Sequence, residues 1–383
     1  VQASTTSRPR AFRADIQALR ALAVVGVILY HFWPQRLPGG YAGVDVFFVI
    51  SGFLITSHLW EEIARTGTVN VLNFWARRIR RLLPAALLVI AVTALATVLW
   101  VPRTFWKQYS IEAIASATYW QNWRLAADSV DYLGAENVPS AFQHYWSLSV
   151  EEQFYIVWPL LMVLALVVAR RRLALSNRGL VVGMLSAVVI ASFTWSAWAV
   201  SAGEPTAYFA TQSRAWEFGL GGLLALVPAL WVDGHRLARA LISLGGWVAI
   251  GATFVLYSQS TPFPGVAALL PVAGTAAVIY AADNQSFARL TGSKPALFLG
   301  DNSYSLYLWH WPVIVIAPFA LGRELDWQTK VVLLAVVILG AVASRKFVED
   351  PVRFSRSLSA SRARVYLGAA AASGAIVVLG IAG

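Results

Sequence analysis

The 383-residue chain is 58% hydrophobic and only 13% charged, with a mean hydropathy of +0.62, which is more apolar surface than a soluble globular domain of that length can bury. It carries a formal net charge of +11 and no cysteine. Disulfides, thiolate metal sites and a cysteine nucleophile are therefore excluded, and the positive charge, clustered between apolar runs, reads as a topology signal rather than a nucleic-acid footprint.

The apolar runs are continuous, not alternating, so they predict an all-α polytopic membrane bundle and not a β-barrel. Eleven membrane helices are predicted, at 17–33, 44–60, 84–101, 146–169, 180–200, 211–230, 240–257, 266–282, 303–321, 329–347 and 365–382. Arg8, Arg10 and Arg13 precede a first run too long for a signal-peptide core, and no small-residue cleavage site follows it. With the N-terminus inside, the cytoplasmic segments 1–20, 61–83, 170–179, 231–239, 283–302 and 345–364 hold 23 of the 30 lysines and arginines. That asymmetry sets the orientation and puts the C-terminus outside. The long outer connection 102–145, rich in Trp and Tyr, predicts a short amphipathic helix at the interface. A last helix ending at the outer side leads to the expectation of an extracytoplasmic domain beyond it. No internal repeat is evident, which argues against a transporter.

The first helix carries the most informative pair. Arg20 and His31 stand eleven residues apart in an apolar run. On an α-helix that is a rise of about 16 Å and three turns plus roughly 20°, so both lie on one face. Ionisable groups in a membrane helix usually face the bundle interior or a water-filled path. A guanidinium at one level and an imidazole at another fit a long anionic substrate lying between them.

The remaining polar groups sort into two layers. The inner layer is basic: Arg20, and Arg77, Arg78, Arg80 and Arg81 immediately before the third helix. Helix N-termini favour anions, and guanidinium groups recognise phosphate in a bidentate manner. Binding of lipid headgroups is the plainer account of the arginine run. The outer layer holds His31, Asp45, Glu151, Glu152, Arg214 and Glu217. A histidine beside a carboxylate is a workable general base, and Glu151 or Asp45 is the expected partner of His31. Arg214 and Glu217 read as an i,i+3 ion pair. His310 lines the same cavity or bridges helices, both readings standing. His58 and His235 need no functional account. No metal-binding spacing occurs, so no metal is expected.

These residues stand in longer phrases. They are Asp15-Ile-Gln-Ala-Leu-Arg20 leading to His31, Gly39-Gly-Tyr-Ala-Gly-Val-Asp45 running on to Thr56, and Phe74-Trp-Ala-Arg-Arg-Ile-Arg-Arg-Leu-Leu-Pro84. Then come Tyr145-Trp-Ser-Leu-Ser-Val-Glu151-Glu-Gln-Phe-Tyr155, Arg214-Ala-Trp-Glu-Phe-Gly219, Ser303-Tyr-Ser-Leu-Tyr-Leu-Trp-His-Trp-Pro312 and Val348-Glu-Asp-Pro-Val-Arg353. Seven phrases in order, over about residues 11–355, closely resemble the acyltransferase family 3 of bacterial integral-membrane O-acyltransferases.

The resemblance implies an enzyme of the bacterial cytoplasmic membrane that moves an acyl group, acetyl by preference, from cytoplasmic acetyl-CoA or another acyl-CoA. The acceptor would be a hydroxyl of an extracytoplasmic glycan or glycolipid, with no nucleic acid involved. Arg20 and His31 match the family's signature pair, Arg77 to Arg81 its basic motif, and Glu151 its fixed glutamate. The nearest subgroup has ten core helices, an eleventh linking helix and an SGNH-type domain. Residues 1–355 would then be the acyltransferase domain, and 356–383 the linker and eleventh helix. Arg20, Arg77, Arg78, Arg80, Arg81 and His310 are expected on the CoA, and His31, Glu151 and Asp45 in catalysis. A tunnel lined by the first, third, fourth and ninth helices should join the layers. A carrier for acyl groups or lipid-linked saccharides is the competing reading.

Overall fold

The computed structural model describes residues 12–130, 139–171, 176–227, 235–282 and 286–382. Residues 1–11, with Arg8 and Arg10, and parts of the predicted loops 170–179, 231–239 and 283–302 lie outside the described residues. The described residues contain helices and turns and no strand. In chain order the helices are α1 Ala14–Phe32, α2 Gly43–Thr66, α3 Val71–Trp100, α4 Trp106–Ala117, α5 Gln121–Val130, α6 Tyr145–Arg171, α7 Asn177–Ser201 and α8 Ala215–Leu226. They continue as α9 Arg236–Leu256, α10 Leu269–Ala281, α11 Ala288–Thr291, α12 Lys294–Leu321, α13 Trp327–Ser344, α14 Asp350–Arg353, α15 Arg356–Ser359 and α16 Arg362–Ala382. Eight helical segments among the described residues are long and apolar enough to cross a membrane, and two shorter apolar helices, at Ala215–Leu226 and Val266–Ala281, accompany them.

Two helix starts differ from expectation in a way that matters for function. The third helix begins at Val71 and not at 84, with the Asn70 side chain accepting from Asn73 N as its cap. The sequence Leu-Asn-Phe-Trp-Ala-Arg-Arg-Ile-Arg-Arg has no helix breaker, and tertiary packing tolerates Pro84 inside the helix. Arg77, Arg78, Arg80 and Arg81 are thus inside a helix, not at its N-terminus. Likewise α1 starts at Ala14, so Arg20 lies almost two turns in. Neither arginine group therefore gains from the unpaired amides of a helix start. The outer connection holds two helices, α4 and α5, where one was expected, and residues 131–138 between α5 and α6 are outside the described residues.

The layout is a buried centre and an apolar periphery. In the segment Gly40–Thr66, 72% of the spanning window is buried, against 17% in Trp327–Arg353. So α2 is a central helix and α13 a peripheral one. Peripheral helices turn large apolar side chains outward, among them Ile190 and Trp198 of α7, Val248 and Val255 of α9, and Val332 and Leu339 of α13. Lipid makes such a surface favourable.

At the centre, α2 packs on α8 and α1 packs on α12. Small residues permit the close approach. A Cβ at Gly52 of α2 would stand 1.9 Å from Phe218 O, and one at Gly221 of α8 2.1 Å from Val49 O. On the other side of α1, a Cβ at Gly300 of α12 would stand 2.3 Å from Gln17 O. These are backbone-to-backbone contacts that no rotamer change relieves.

Gly52→Val should therefore destabilise the protein by about 2–4 kcal/mol through overpacking at α2–α8. Thermal unfolding in detergent reads this as a midpoint several degrees lower. Gly245→Ala on α9, where an added Cβ meets nothing within 4 Å, is the control and should hold or slightly raise the midpoint. Equal midpoints for both variants would refute the close-packing account.

Candidate active site

Two of the cavities border one another among α1, α2, α3, α6 and α12. The first, about 90 Å³, is lined by Arg20 of α1, Ser51 of α2, Arg78 and Arg81 of α3, Glu151 and Tyr155 of α6, and Ser303, Tyr304 and Tyr307 of α12, among others. The second, about 550 Å³, is lined by Tyr30 and His31 of α1, Gln143, His144 and Trp146 around the start of α6, Tyr208, and Tyr307 and Trp311 of α12. Val44 and Tyr307 border both. The expected single tunnel is therefore two chambers that abut, and α2 joins the helices predicted to line it.

The arginine chamber is explained by helix geometry. Residues three apart on α3 share a face within about 60°, so Arg78 and Arg81 turn in together. Arg77 turns to Glu62, 3.5 Å away, and Arg80 donates to Ser359. Only half of the arginine run thus joins Arg20. The Arg78 guanidinium lies 5.5 Å from the ring centroids of both Phe74 and Tyr155, a cation–π seat that fixes its direction. Arg20 Nη1 donates to Gln17 Oε1 at 3.3 Å. Glu151 accepts from Ser51 Oγ and from Tyr155 OH. Three guanidinium groups therefore face one carboxylate, and none of the three is within ion-pair distance of a carboxylate among the described residues. Ser303 Oγ is fully buried in the same wall without a hydrogen-bond partner. A cationic excess with a spare hydroxyl is matched to an anion carrying further polar groups.

The histidine chamber has a defined proton arrangement. His310 Nδ1 lies 2.5 Å from Tyr307 O. A carbonyl cannot donate, so that nitrogen carries the hydrogen. His310 Nε2 is then a bare lone pair in the neutral ring, and it lies 3.0 Å from His31 Nδ1. His31 Nδ1 must donate to it, which leaves His31 Nε2 as the lone pair. The hydrogen positions are assigned from these acceptors. The two rings stack at 5.1 Å, and the Trp311 edge meets His31 at 4.6 Å. Trp311 is held in turn by its Nε1 donating to Ser140 O at 2.8 Å.

His310, expected on the donor substrate, is thus the group that orients His31. The expected carboxylate partners are elsewhere. Glu151 lies in the arginine chamber, because one helical turn of α6 below Ser147 carries it past Tyr307 to the level of Arg20. Asp45 is held by Arg214, whose Nη1 donates to Asp45 Oδ1 at 3.0 Å and to Glu217 Oε1 at 3.2 Å. The expected Arg214–Glu217 pair is present, with a second carboxylate added. Arg214 Nε also donates to Tyr208 O at 3.2 Å, and its guanidinium faces the rings of Trp146, Tyr208 and Phe263 at 4.9–5.4 Å. All three ionisable groups are 0–1% exposed. This cluster braces the aromatic wall of the histidine chamber.

His144, Ser147, Ser303 and Tyr307 were not singled out from the sequence. His144 directly precedes the Tyr145-Trp-Ser-Leu phrase, and that adjacency was the available signal. Tyr307 OH donates to His144 O at 3.0 Å and lies 2.6 Å from Ser147 Oγ. Among the described residues no group of three or more metal-ligating side chains is placed to hold an ion.

Comparison with known proteins bears on this geometry. A family model described as an acyltransferase domain matches residues 13–346. The O-acetyltransferase OatA of Staphylococcus aureus is 32% identical over 349 residues, covering 88% of this chain and 57% of that protein. The putative peptidoglycan O-acetyltransferase YrhL of Bacillus subtilis is 33% identical over 365 residues, covering 92% and 56%. The peptidoglycan O-acetyltransferase OatA of Listeria monocytogenes is 31% identical over 365 residues, covering 91% and 57%. The chain thus spans a little over half the length of these curated relatives. No solved structure matches it.

The Arg214 cluster yields a stability test. Arg214→Met leaves two buried carboxylates without their cation, at a cost of about 3–5 kcal/mol. Adding Asp45→Asn and Glu217→Gln should restore most of the lost thermal midpoint. A single variant as stable as the parent, or a triple variant no better than the single, would contradict the bracing role.

Proposed function

The chain belongs to the acyltransferase 3 family, and on that premise we propose that it forms the membrane part of an O-acetyltransferase that passes an acetyl group from cytoplasmic acetyl-CoA to a hydroxyl on the other side of the membrane. The observation that carries this reading is the stacking of a cationic chamber against a histidine chamber, with Val44 and Tyr307 as their shared wall. Eleven membrane helices, counting α8, α10 and α16, put the N-terminus inside and the C-terminus outside. The arginine bias supports that orientation. Glycan acceptors are supported by the names of the relatives, two of which specify peptidoglycan. The other part of those longer proteins would be an SGNH-type domain.

Arg20, Arg78 and Arg81 would hold the CoA phosphates from the cytoplasmic side. The pantetheine arm carries no charge and would thread past Ser303 Oγ, and the chamber of about 90 Å³ must widen to admit it. Moving the whole nucleotide instead would carry several phosphates and their arginines to the membrane centre at great cost. For the thioester to reach His31, the Tyr307 ring must turn aside from its place between the chambers. His31 Nε2 then takes the hydroxyl proton as the oxygen attacks the thioester carbonyl. The carbon–sulfur bond breaks, the ester forms, and the CoA thiolate leaves and takes up a proton. The His310–Tyr307 O pair keeps the His31 lone pair on Nε2 throughout the approach.

Two experiments test the reading with the full-length protein in membrane vesicles. His31→Ala should abolish acetyl transfer from radiolabelled acetyl-CoA to the glycan fraction while the protein remains inserted and its thermal midpoint stays near that of the parent. Wild-type-like transfer by that variant would remove His31 from the mechanism. In the second, Arg78→Met and Arg81→Met should each weaken acetyl-CoA binding by about 10- to 100-fold, the worth of a charge-assisted hydrogen bond. Arg77→Met and Arg80→Met should bind nearly as the parent does. Equal losses at all four positions would indicate a diffuse electrostatic effect rather than a seated phosphate.

A further inference from the structure

His144 is a buried histidine that the proposed mechanism leaves without a task. It is 3% exposed and borders the histidine chamber. Its Nε2 lies 3.1 Å from Leu308 O. The carbonyl can only accept, so Nε2 carries the hydrogen and Nδ1 is a bare lone pair. That Nδ1 is buried and has no hydrogen-bond partner. A buried acceptor without a donor costs free energy, and such groups call for an explanation by a missing donor.

The ring is held firmly enough to act. Leu308 O fixes its plane from one side. Its own backbone carbonyl accepts from Tyr307 OH at 3.0 Å. The His310 ring stands edge-on at 5.8 Å, so His144 and His31 flank the same imidazole. His31 and His144 both line the chamber, and neither His31 Nε2 nor His144 Nδ1 can donate in its assigned tautomer; His144 Nδ1 is covered in the resting chamber, so a hydroxyl reaches it only when the wall moves. An alcohol with one hydroxyl satisfies one of them. A compound with a second hydroxyl can satisfy both.

We infer that His144 Nδ1 is an acceptor-binding group that takes the hydrogen of a second hydroxyl beside the one His31 deprotonates, so that the histidine chamber selects a polyol such as a sugar ring over a simple alcohol. This rests on the reading of that chamber as the place where the acceptor meets the acetyl group. The second hydroxyl stays unreacted. Its hydrogen bond positions the first hydroxyl and offsets the burial of Nδ1.

The experiment uses the protein in lipid nanodiscs with its five histidines labelled with nitrogen-15, each signal assigned by its own substitution. The His144 signals should be those of the Nε2–H tautomer. Adding 1,2-propanediol should shift the signals of both His31 and His144, whereas 1-propanol should shift those of His31 alone. Acetyl transfer from acetyl-CoA to the two alcohols, followed by mass spectrometry, should favour the diol by about tenfold in kcat/KM, the worth of one net hydrogen bond. His144→Gln keeps a side-chain donor for Leu308 O but places its acceptor, Oε1, away from the Nδ1 position, and His144→Phe removes both nitrogens; each should bring the two alcohols within about twofold of each other. An Nδ1–H tautomer at His144, a His144 signal indifferent to the diol, or a diol preference that survives His144→Gln would overturn the inference. Absence of transfer to either alcohol would count instead against the acyltransferase reading, and the imidazole shifts would still decide whether His144 binds a hydroxyl.

Discussion

A charge moved from water into an apolar bundle loses several kcal/mol of solvation unless partners replace it. That constraint separates the ionisable groups of this chain into two kinds. Arg214 has full replacement: two carboxylates, a backbone carbonyl and three aromatic faces. It is a brace, and nothing about it asks for a ligand. Arg20, Arg78 and Arg81 sit in a chamber with one carboxylate, and that carboxylate is already engaged by Ser51 and Tyr155. Asp301, Glu349 and Glu152 act on them from outside that lining, none is in ion-pair contact with the three, and a polyanionic substrate would supply that contact. Arg214 is thus set apart from Arg20, Arg78 and Arg81 both by its partners and by its burial, complete at 1% exposure where the other three are only partly buried.

The second organising element is Tyr307. Its carbonyl sets the tautomer of His310 and, through it, that of His31. Its hydroxyl bonds the backbone of His144 and lies beside Ser147, while its ring borders both chambers. One residue of α12 therefore sets the direction of the base and forms part of the wall that the acyl group must pass. A turn of the Tyr307 ring that opens the wall also acts on the support of His144. In the proposed reaction the ring would turn while the backbone carbonyl stays in place, so the orientation of the base would outlast the opening.

These chambers exist because the helices around them approach unusually closely elsewhere. Gly52 and Gly221 bring the α2 and α8 backbones into contact, and Gly300 does the same for α12 against α1. Lipid gives no hydrophobic drive for helix association, so packing of this kind carries much of the stability. The rigid α1–α12 contact holds His31 against His310, on which the base depends.

Composition and pattern alone determined an all-helical membrane protein, because continuous apolar runs have no other stable form in a bilayer. They also singled out Arg20, His31, Glu151 and the arginine run, since an ionisable group in an apolar run is costly enough to need a reason. The seven motif phrases carried the family. What the sequence left undecided was who meets whom. Asp45 and Glu151 were equally plausible partners for His31 along the chain, and the fold gave both to other groups. His310, 279 residues away from His31, became the partner. His144 could not be told from an ordinary core histidine until its Nδ1 stood buried and unpaired. Periodicity fixes a side chain's face on its own helix, but not which face of another helix it meets. That pairing is set by interhelical packing and by the hydrogen bonds to backbone carbonyls that fix each imidazole's tautomer, and only the tertiary structure supplies both.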